Sequence, residues 1–267
     1  MKWNGVVKYK ANLVGAITRY FWGCQVAILS DKVLGMGKKR GSSNRRMLRG
    51  VAILYEDSDI LVADKPAGLL TMGTDTEKTK TAYYILTDYV RKGCAKSRKR
   101  IFIVHRLDRE TAGVVVFAKS EEAKLCLQGQ WKDVEKKYLA VVHGRLTNKT
   151  GTISSYLAEN KAHVVYSTTD TTKGRLAQTA YKVLKETKRF SLLEINLLTG
   201  RKNQIRVHLT DKGHPVVGDR KYGKGNDGYR RLALHSKSIS FKHPISGERL
   251  SFESEVPGYL KWLMTSD

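Results

Sequence analysis

The stretch Val104-His105-Arg106-Leu107-Asp108-Arg109-Glu110-Thr111-Ala112-Gly113-Val114-Val115-Val116-Phe117-Ala118-Lys119 decides how the rest of this chain is read. A compact polar block holding the carboxylate of Asp108 runs directly into the apolar run Val114 to Ala118. β-Branched and aromatic residues in an unbroken run, closed by a lysine, predict a buried strand. Gly113, just before that run, suits a turn or a close backbone approach. Asp108 is therefore expected on a loop at the mouth of a rigid sheet. On spacing alone, a carboxylate between Arg106 and Arg109 reads first as a structural ion pair or a turn former.

At 267 residues the chain is long enough to bury a good core, as one large or two small domains. Lys+Arg 49 against Asp+Glu 25 gives a net charge of +24. Such an excess is the electrostatic footprint of a nucleic-acid binder, because neutralised phosphates release their counterions. Three scattered cysteines, Cys24, Cys94 and Cys126, contain no C-x-x-C. They point to a reducing compartment and away from a disulfide framework or a zinc site. No metal is expected.

Residues 1–50 differ from the rest: eleven Lys and Arg face the single acid Asp31. The apolar run Leu13 to Leu29 is broken by Arg19 and Gln25, which makes it a poor membrane span and a poor signal peptide. This stretch is expected to be a basic leader or linker. A transit peptide, a disordered arm and an upstream extension remain open, and no membrane partner is expected. The cytoplasm is the expected location, or the mitochondrion if the source is a eukaryote.

The folded domain is expected over residues 51–267. It opens with a hairpin, Ala52 to Tyr55 and Ile60 to Ala63, around Glu56-Asp57-Ser58-Asp59, with Pro66 and Gly68 ending the second strand. Helical spacing predicts a helix within 79–92, and Glu121 to Trp131 a second one with an acidic first turn. Strands are predicted over 136–144, 151–166, 176–184 and 190–198, with a polar loop over 167–174. In the last strand Leu193, Ile195 and Leu197 form the buried face. On a helix through Gln204 to Leu209, Gln204 and His208 share one face and Arg206 points elsewhere. Between the first helix and Asp108 lies an acid-free run with Lys96, Arg98, Lys99 and Arg100. Its place just before the polar block favours a track for nucleic-acid phosphates, which would position the backbone without reading sequence.

Four ordered blocks carry a resemblance. HRLDRETAG with its apolar strand resembles the signature of the RluA-type pseudouridine synthases. K-x-Y-x-A-x-V-x-G is matched from Lys136 to Gly144. TGRKNQIRVH (199–208), followed by GHPVVGDRKYG (213–223), is similar to the family's next block. LALHSKSISFKHPISGE (232–248) is similar to its closing hairpin, with Pro244 and Gly247 in the turn. The resemblance spans about residues 51–257, and no S4 domain pattern accompanies it.

The resemblance implies an α+β fold: a large, mixed, mostly antiparallel bent sheet with flanking helices and a central cleft. It implies isomerisation of uridine to pseudouridine in structured RNA, with Asp108 as the nucleophile. Tyr138 would pack on the target uracil and assist as base or relay, and Arg206 would pair with Asp108. Arginine suits that task because its planar fork can take both carboxylate oxygens. Arg106, with His105 beside it, would fill the stack vacated by the flipped base, and Arg201 would also meet RNA. Asn203 stands where the resembled block has histidine, and no role is carried to it.

The reaction requires no redox step or donor, so no cofactor is expected, and a monomer is expected. Ribosomal RNA is the favoured partner and transfer RNA the alternative. A non-catalytic RNA-binding or assembly protein would share the charge, but would have little need of Asp108, Tyr138 and Arg206 together. A glycosidase-like hydrolase would want a second acid near Asp108, and nothing marks Glu110 as that partner.

Overall fold

The computed structural model describes residues 46–223, 225 and 227–265. In chain order its elements are β1 (Arg46–Leu48), β2 (Val51–Glu56), β3 (Ile60–Lys65), α1 (Ala82–Val90), β4 (Phe102–Ile103), β5 (Ala112–Ala118) and α2 (Glu121–Gly129). Next come β6 (Glu135–His143), β7 (Thr150–Glu159), β8 (Val165–Thr168), β9 (Arg175–Glu186), β10 (Phe190–Leu197) and α3 (Gln204–Asp211). The series closes with β11 (Leu234–Lys242), β12 (Arg249–Glu253) and α4 (Gly258–Leu263).

All described strands join one sheet, ordered β1-β2-β3-β5-β11-β6-β10-β9-β7-β8, with β12 on β11 and β4 on β5. Every pairing is antiparallel except β5 with β11, which is parallel at Ala112–His235 and Gly113–Ser236. There the backbones come so close that a Cβ on Gly113 would lie 2.1 Å from the Ser236 carbonyl oxygen. Gly113 also has φ +117°, so the expected close approach is what its missing side chain serves.

The unbroken apolar run of β5 follows from burial on both faces. Val115 and Phe117 join Leu61, Ala63 and the α1 residues Ala82, Ile85 and Leu86 in one core. Val114, Val116 and Ala118 face a second core with Ile60, Val62, the α2 residues Ala123 and Leu127, and Phe241 of β11. Thr81 and Ser120 cap α1 and α2 by accepting from the N–H groups of Tyr84 and Ala123. α3 lies against β7, β8 and β9, with Val207 packed on Leu157, Val165 and Ala177.

Two expectations change. The strand predicted over 151–166 is two strands, β7 and β8, paired as a hairpin. Asn160 breaks the run: its Oδ1 accepts from the N–H groups of Ala162 and Val164, and His163 takes φ +58°. Arg46–Leu48, inside the stretch expected as a leader, is also a strand, paired with β2. Residues 1–45 of the expected leader lie outside the described residues.

Candidate active site

Asp108 lies on the loop entering β5, as expected, and that loop is pinned from several sides. Thr71 Oγ1 donates to the Leu107 carbonyl at 2.8 Å and accepts from its N–H at 3.1 Å. The Arg109 carbonyl accepts from the Gly68 N–H at 2.8 Å and from Lys65 Nζ at 3.2 Å. Lys65 is fully buried and also donates to the carbonyls of Pro66 and Leu69. Burial pushes its pKa down to about 8, against the pull of Asp108, Glu110 and Asp64. The segment Lys65 to Thr71, which turn chemistry alone explains in sequence, is thus the floor of this loop.

His105 lines the cleft next to Arg106 and also holds the loop in place. Its Nε2 accepts from the Val116 N–H at 3.0 Å, and its ring lies 4.7 Å from that of Trp131. Burial pushes its pKa down to about 3, with Lys136 adding to the effect, so the ring is a neutral acceptor. It ties the loop to β5 while lining the cleft beside Arg106. Arg106 remains exposed at the rim of the cleft.

The cleft is a cavity of about 370 Å³, lined by Asp108, Tyr138, Arg206, Asn203, Trp131 and Lys136 among others. Tyr138 sits on β6 opposite Ser236 of β11 and Ile195 of β10. A bulge on β11 between Ser236 and Ser238 lies at this point. Burial pushes the Tyr138 hydroxyl up to about 12; its hydrogen bond with Ser236 works against that, and Asp108 adds to it. A phenol so placed stays protonated near neutral pH, which suits a relay better than a base.

Arg206 and Asn203 approach Asp108 from the N-terminal end of α3. That helix is locked from its other side: Gln204 Nε2 and His208 Nδ1 both meet Thr179 Oγ1 at 2.9 Å. The shared face of Gln204 and His208 is therefore as expected.

The fork of Arg206 goes elsewhere, however. Its Nε and Nη2 donate to Asp219 Oδ2 and Oδ1, each at 2.7 Å, and Nη1 reaches Asp108 Oδ2 at 3.5 Å. Asp219 takes the bidentate pair because the loop after α3 holds its carboxylate with the N–H groups of Lys221 and Tyr222. Asn203 Nδ2 is nearer to Asp108, donating to Oδ2 at 2.5 Å. The flanking arginines, Arg106 and Arg109, are exposed. No local sequence signal marks Asn203, Asp219, Trp131, Lys136 or Lys65 as part of this site. Asp219 is visible there only as part of the GHPVVGDRKYG block.

Lys99 and Arg100 line a second, separate groove of about 810 Å³ together with Arg46, Lys92 and Lys119, facing Glu56 and Asp88. Lys96 and Arg98 are exposed on the same loop. Arg201 is exposed by the cleft, its Nε on the Leu176 carbonyl.

Among the described residues one cluster has the makings of a cation site: Asp57, Asp59 and His243, with ligand atoms within 4.8 Å. Its members already have structural work. Asp57 Oδ1 accepts the N–H groups of Asp59 and Ile60, and Oδ2 meets His243 Nε2 at 3.1 Å. No described helix is long and apolar enough to cross a membrane.

A carboxylate, a buried tyrosine and an arginine thus line one cleft at the middle of the sheet. A family model described as RNA pseudouridylate synthase matches residues 59–211, and the chain belongs to that family. It is 36% identical over 213 residues to the uncharacterized RNA pseudouridine synthase YhcT of Bacillus subtilis, covering 78% of this chain and 70% of that one. It is 34% identical over 247 residues to the ribosomal large subunit pseudouridine synthase D of Nitrosomonas europaea, covering 88% and 70%. Among solved structures, human RNA pseudouridylate synthase domain containing 4 superposes with a TM-score of 0.66 at 24% identity. That alignment covers 78% of this chain and 90% of the human one, and shows the shared fold. The chain is an enzyme that converts uridine to pseudouridine in RNA.

Proposed function

We propose that the enzyme modifies a uridine of folded ribosomal RNA, flipped into the cleft, with Asp108 as the nucleophile. The observation that carries this reading is the convergence of Asp108, Tyr138 and Arg206 on one cavity at the centre of the sheet. Ribosomal RNA is favoured by the similarity to the Nitrosomonas enzyme.

The reaction is balanced within one nucleotide. The N1–C1′ bond breaks, the C5–C1′ bond forms, C5 loses a proton and N1 gains one. Asp108 attacks either C1′ or the base ring. Tyr138 stacks on the uracil and passes the C5 proton as a protonated relay. Arg206, held by Asp219, supplies positive charge beside the carboxylate. Flipping costs roughly a few kcal/mol, and Arg106 at the cleft rim offsets part of it by occupying the vacated stack. Lys99 and Arg100, with Arg46 and Lys92 across their groove, carry the flanking phosphates, and Lys96, Arg98 and Arg201 extend that contact.

The test is to map pseudouridine in total RNA from a host lacking the gene, complemented with wild type or Asp108→Ala. A ribosomal site restored by wild type alone supports the proposal. A transfer RNA site would replace the substrate. Restoration by both proteins would remove Asp108 from the mechanism.

A further inference from the structure

Asn203 occupies the N-cap of α3 with φ 52° and ψ 16°, in the left-handed region, and makes no capping bond. Asparagine at an N-cap ordinarily accepts a backbone N–H of the first turn, and left-handed backbone carries a cost of its own. Here the side chain is committed elsewhere. Its Nδ2 donates to Asp108 Oδ2 at 2.5 Å, and its Oδ1 accepts from the Tyr222 hydroxyl at 3.1 Å.

The sense of the amide follows from its neighbours. The Val165 N–H donates to the Tyr222 oxygen at 3.1 Å, so the single phenolic proton is free to point at Asn203. An amide that receives this proton on oxygen must turn its nitrogen towards Asp108. The ring of Tyr222 lies 5.0 Å from the Arg206 guanidinium carbon, which keeps the two donors side by side. Because Asp219 occupies the fork of Arg206, the shortest bond to Asp108 comes from an uncharged group. Both donors act on Oδ2, and among the described residues none engages Oδ1.

We propose that Asn203, oriented by Tyr222, is the positioning residue for Asp108, fixing Oδ2 so that Oδ1 is the oxygen presented to the uridine. This rests on Asp108 being the nucleophile. A plain structural role would make the residue's value depend on its backbone and its cap. A positioning role makes it depend on an N–H donor. Aspartate separates the two: it has the same shape, tolerates the left-handed region and caps helices well, but offers a second carboxylate where Asp108 needs a donor. Histidine also tolerates that backbone and can donate.

The assay is tritium release from total RNA labelled at uridine C5, taken from cells lacking the gene, with kcat, KM and Tm measured for each variant. Asn203→Ala is expected to lower kcat about 10- to 100-fold, the range for loss of a hydrogen bond to a charged group, with KM nearly unchanged. Asn203→Asp is expected to be slower still, and most so above the pH at which its carboxyl ionises beside Asp108. Asn203→His is expected to recover most of the loss, and Tyr222→Phe to lose less than Asn203→Ala. If Asn203→Asp keeps wild-type kcat while Asp108→Ala is inactive, the positioning role is overturned and the nucleophile stands. Losses that appear only in KM, or that rank with Tm, also overturn it. Activity in Asp108→Ala would instead remove the reading on which the proposal rests.

Discussion

Replacing Asp219 by asparagine takes one charge out of a pair whose side chains are 7% exposed on Arg206 and 0% on Asp219. Two hydrogen bonds of 2.7 Å join them, and asparagine can accept only one while turning its amide nitrogen towards a donor. Hydrogen bonds to charged groups contribute about 1.5–3 kcal/mol each, and breaking a buried ion pair from one side costs about 3–5 kcal/mol. A loss of about 4 kcal/mol is expected, which for a domain of this size lowers Tm by about 10 °C. Urea unfolding and calorimetry measure it. Activity falls as well, because the guanidinium loses the partner that aims Nη1 at Asp108. The double variant Arg206→Met with Asp219→Leu leaves neither of these two charges unpaired, so it should be markedly more stable than Asp219→Asn yet inactive. A loss below about 1 kcal/mol in Asp219→Asn, with normal turnover, would refute this account of the pair.

Three further outcomes follow from the same geometry. Gly113→Ala should cost at least about 3 kcal/mol in unfolding experiments, from overpacking against Ser236 plus a positive φ, and Ser236→Gly should not rescue it because the clash is with backbone. Lys65 titrates near 8 when folded and near 10.5 when unfolded, so between these values the unfolded chain holds more protons and stability rises with pH. Wild type should therefore gain stability relative to Lys65→Met between pH 7.5 and 9.5, and equal slopes would contradict the burial described for this amine. His105 is lowered from 6.5 to about 3, so its contribution is complete above pH 6.5 and declines as pH falls towards 3. Relative to His105→Gln, which keeps an acceptor for Val116, wild type should weaken between pH 6.5 and 4 in denaturant titrations.

Local pattern made much of this legible. The apolar run of β5 announces burial, and the spacing of Gln204 and His208 announces a shared helix face. What they touch was not legible, since Thr179 reaches that face from a strand 29 residues earlier. The bidentate partner of Arg206 escaped for a similar reason: nothing in GHPVVGDRKYG says that Asp219 folds back beneath the helix that precedes it. Asn203 shows in sequence only as a replaced histidine, because its bond to Asp108 depends on an αL backbone and on a tyrosine 19 residues away. Lys65 looked like turn punctuation, and only its complete burial under the Asp108 loop reveals the difference. In the hairpin of β7 and β8, the signal was present in Asn160, but β-forming residues on both sides concealed it.

The parallel contact of β5 with β11 bears on how the enzyme comes into being. Ser236 and Val114, joined by a hydrogen bond, are 122 residues apart in the chain. β11 is made long after both of the strands it separates. Until it inserts, β5 and β6 present unpaired edges, the kind of surface that invites wrong partners during synthesis and gives chaperones something to hold. Asp108 precedes one of these strands and Tyr138 lies on the other, so they are brought to a common cleft only when β11 arrives. A nascent chain thus carries Asp108 well before Tyr138 can share a cleft with it.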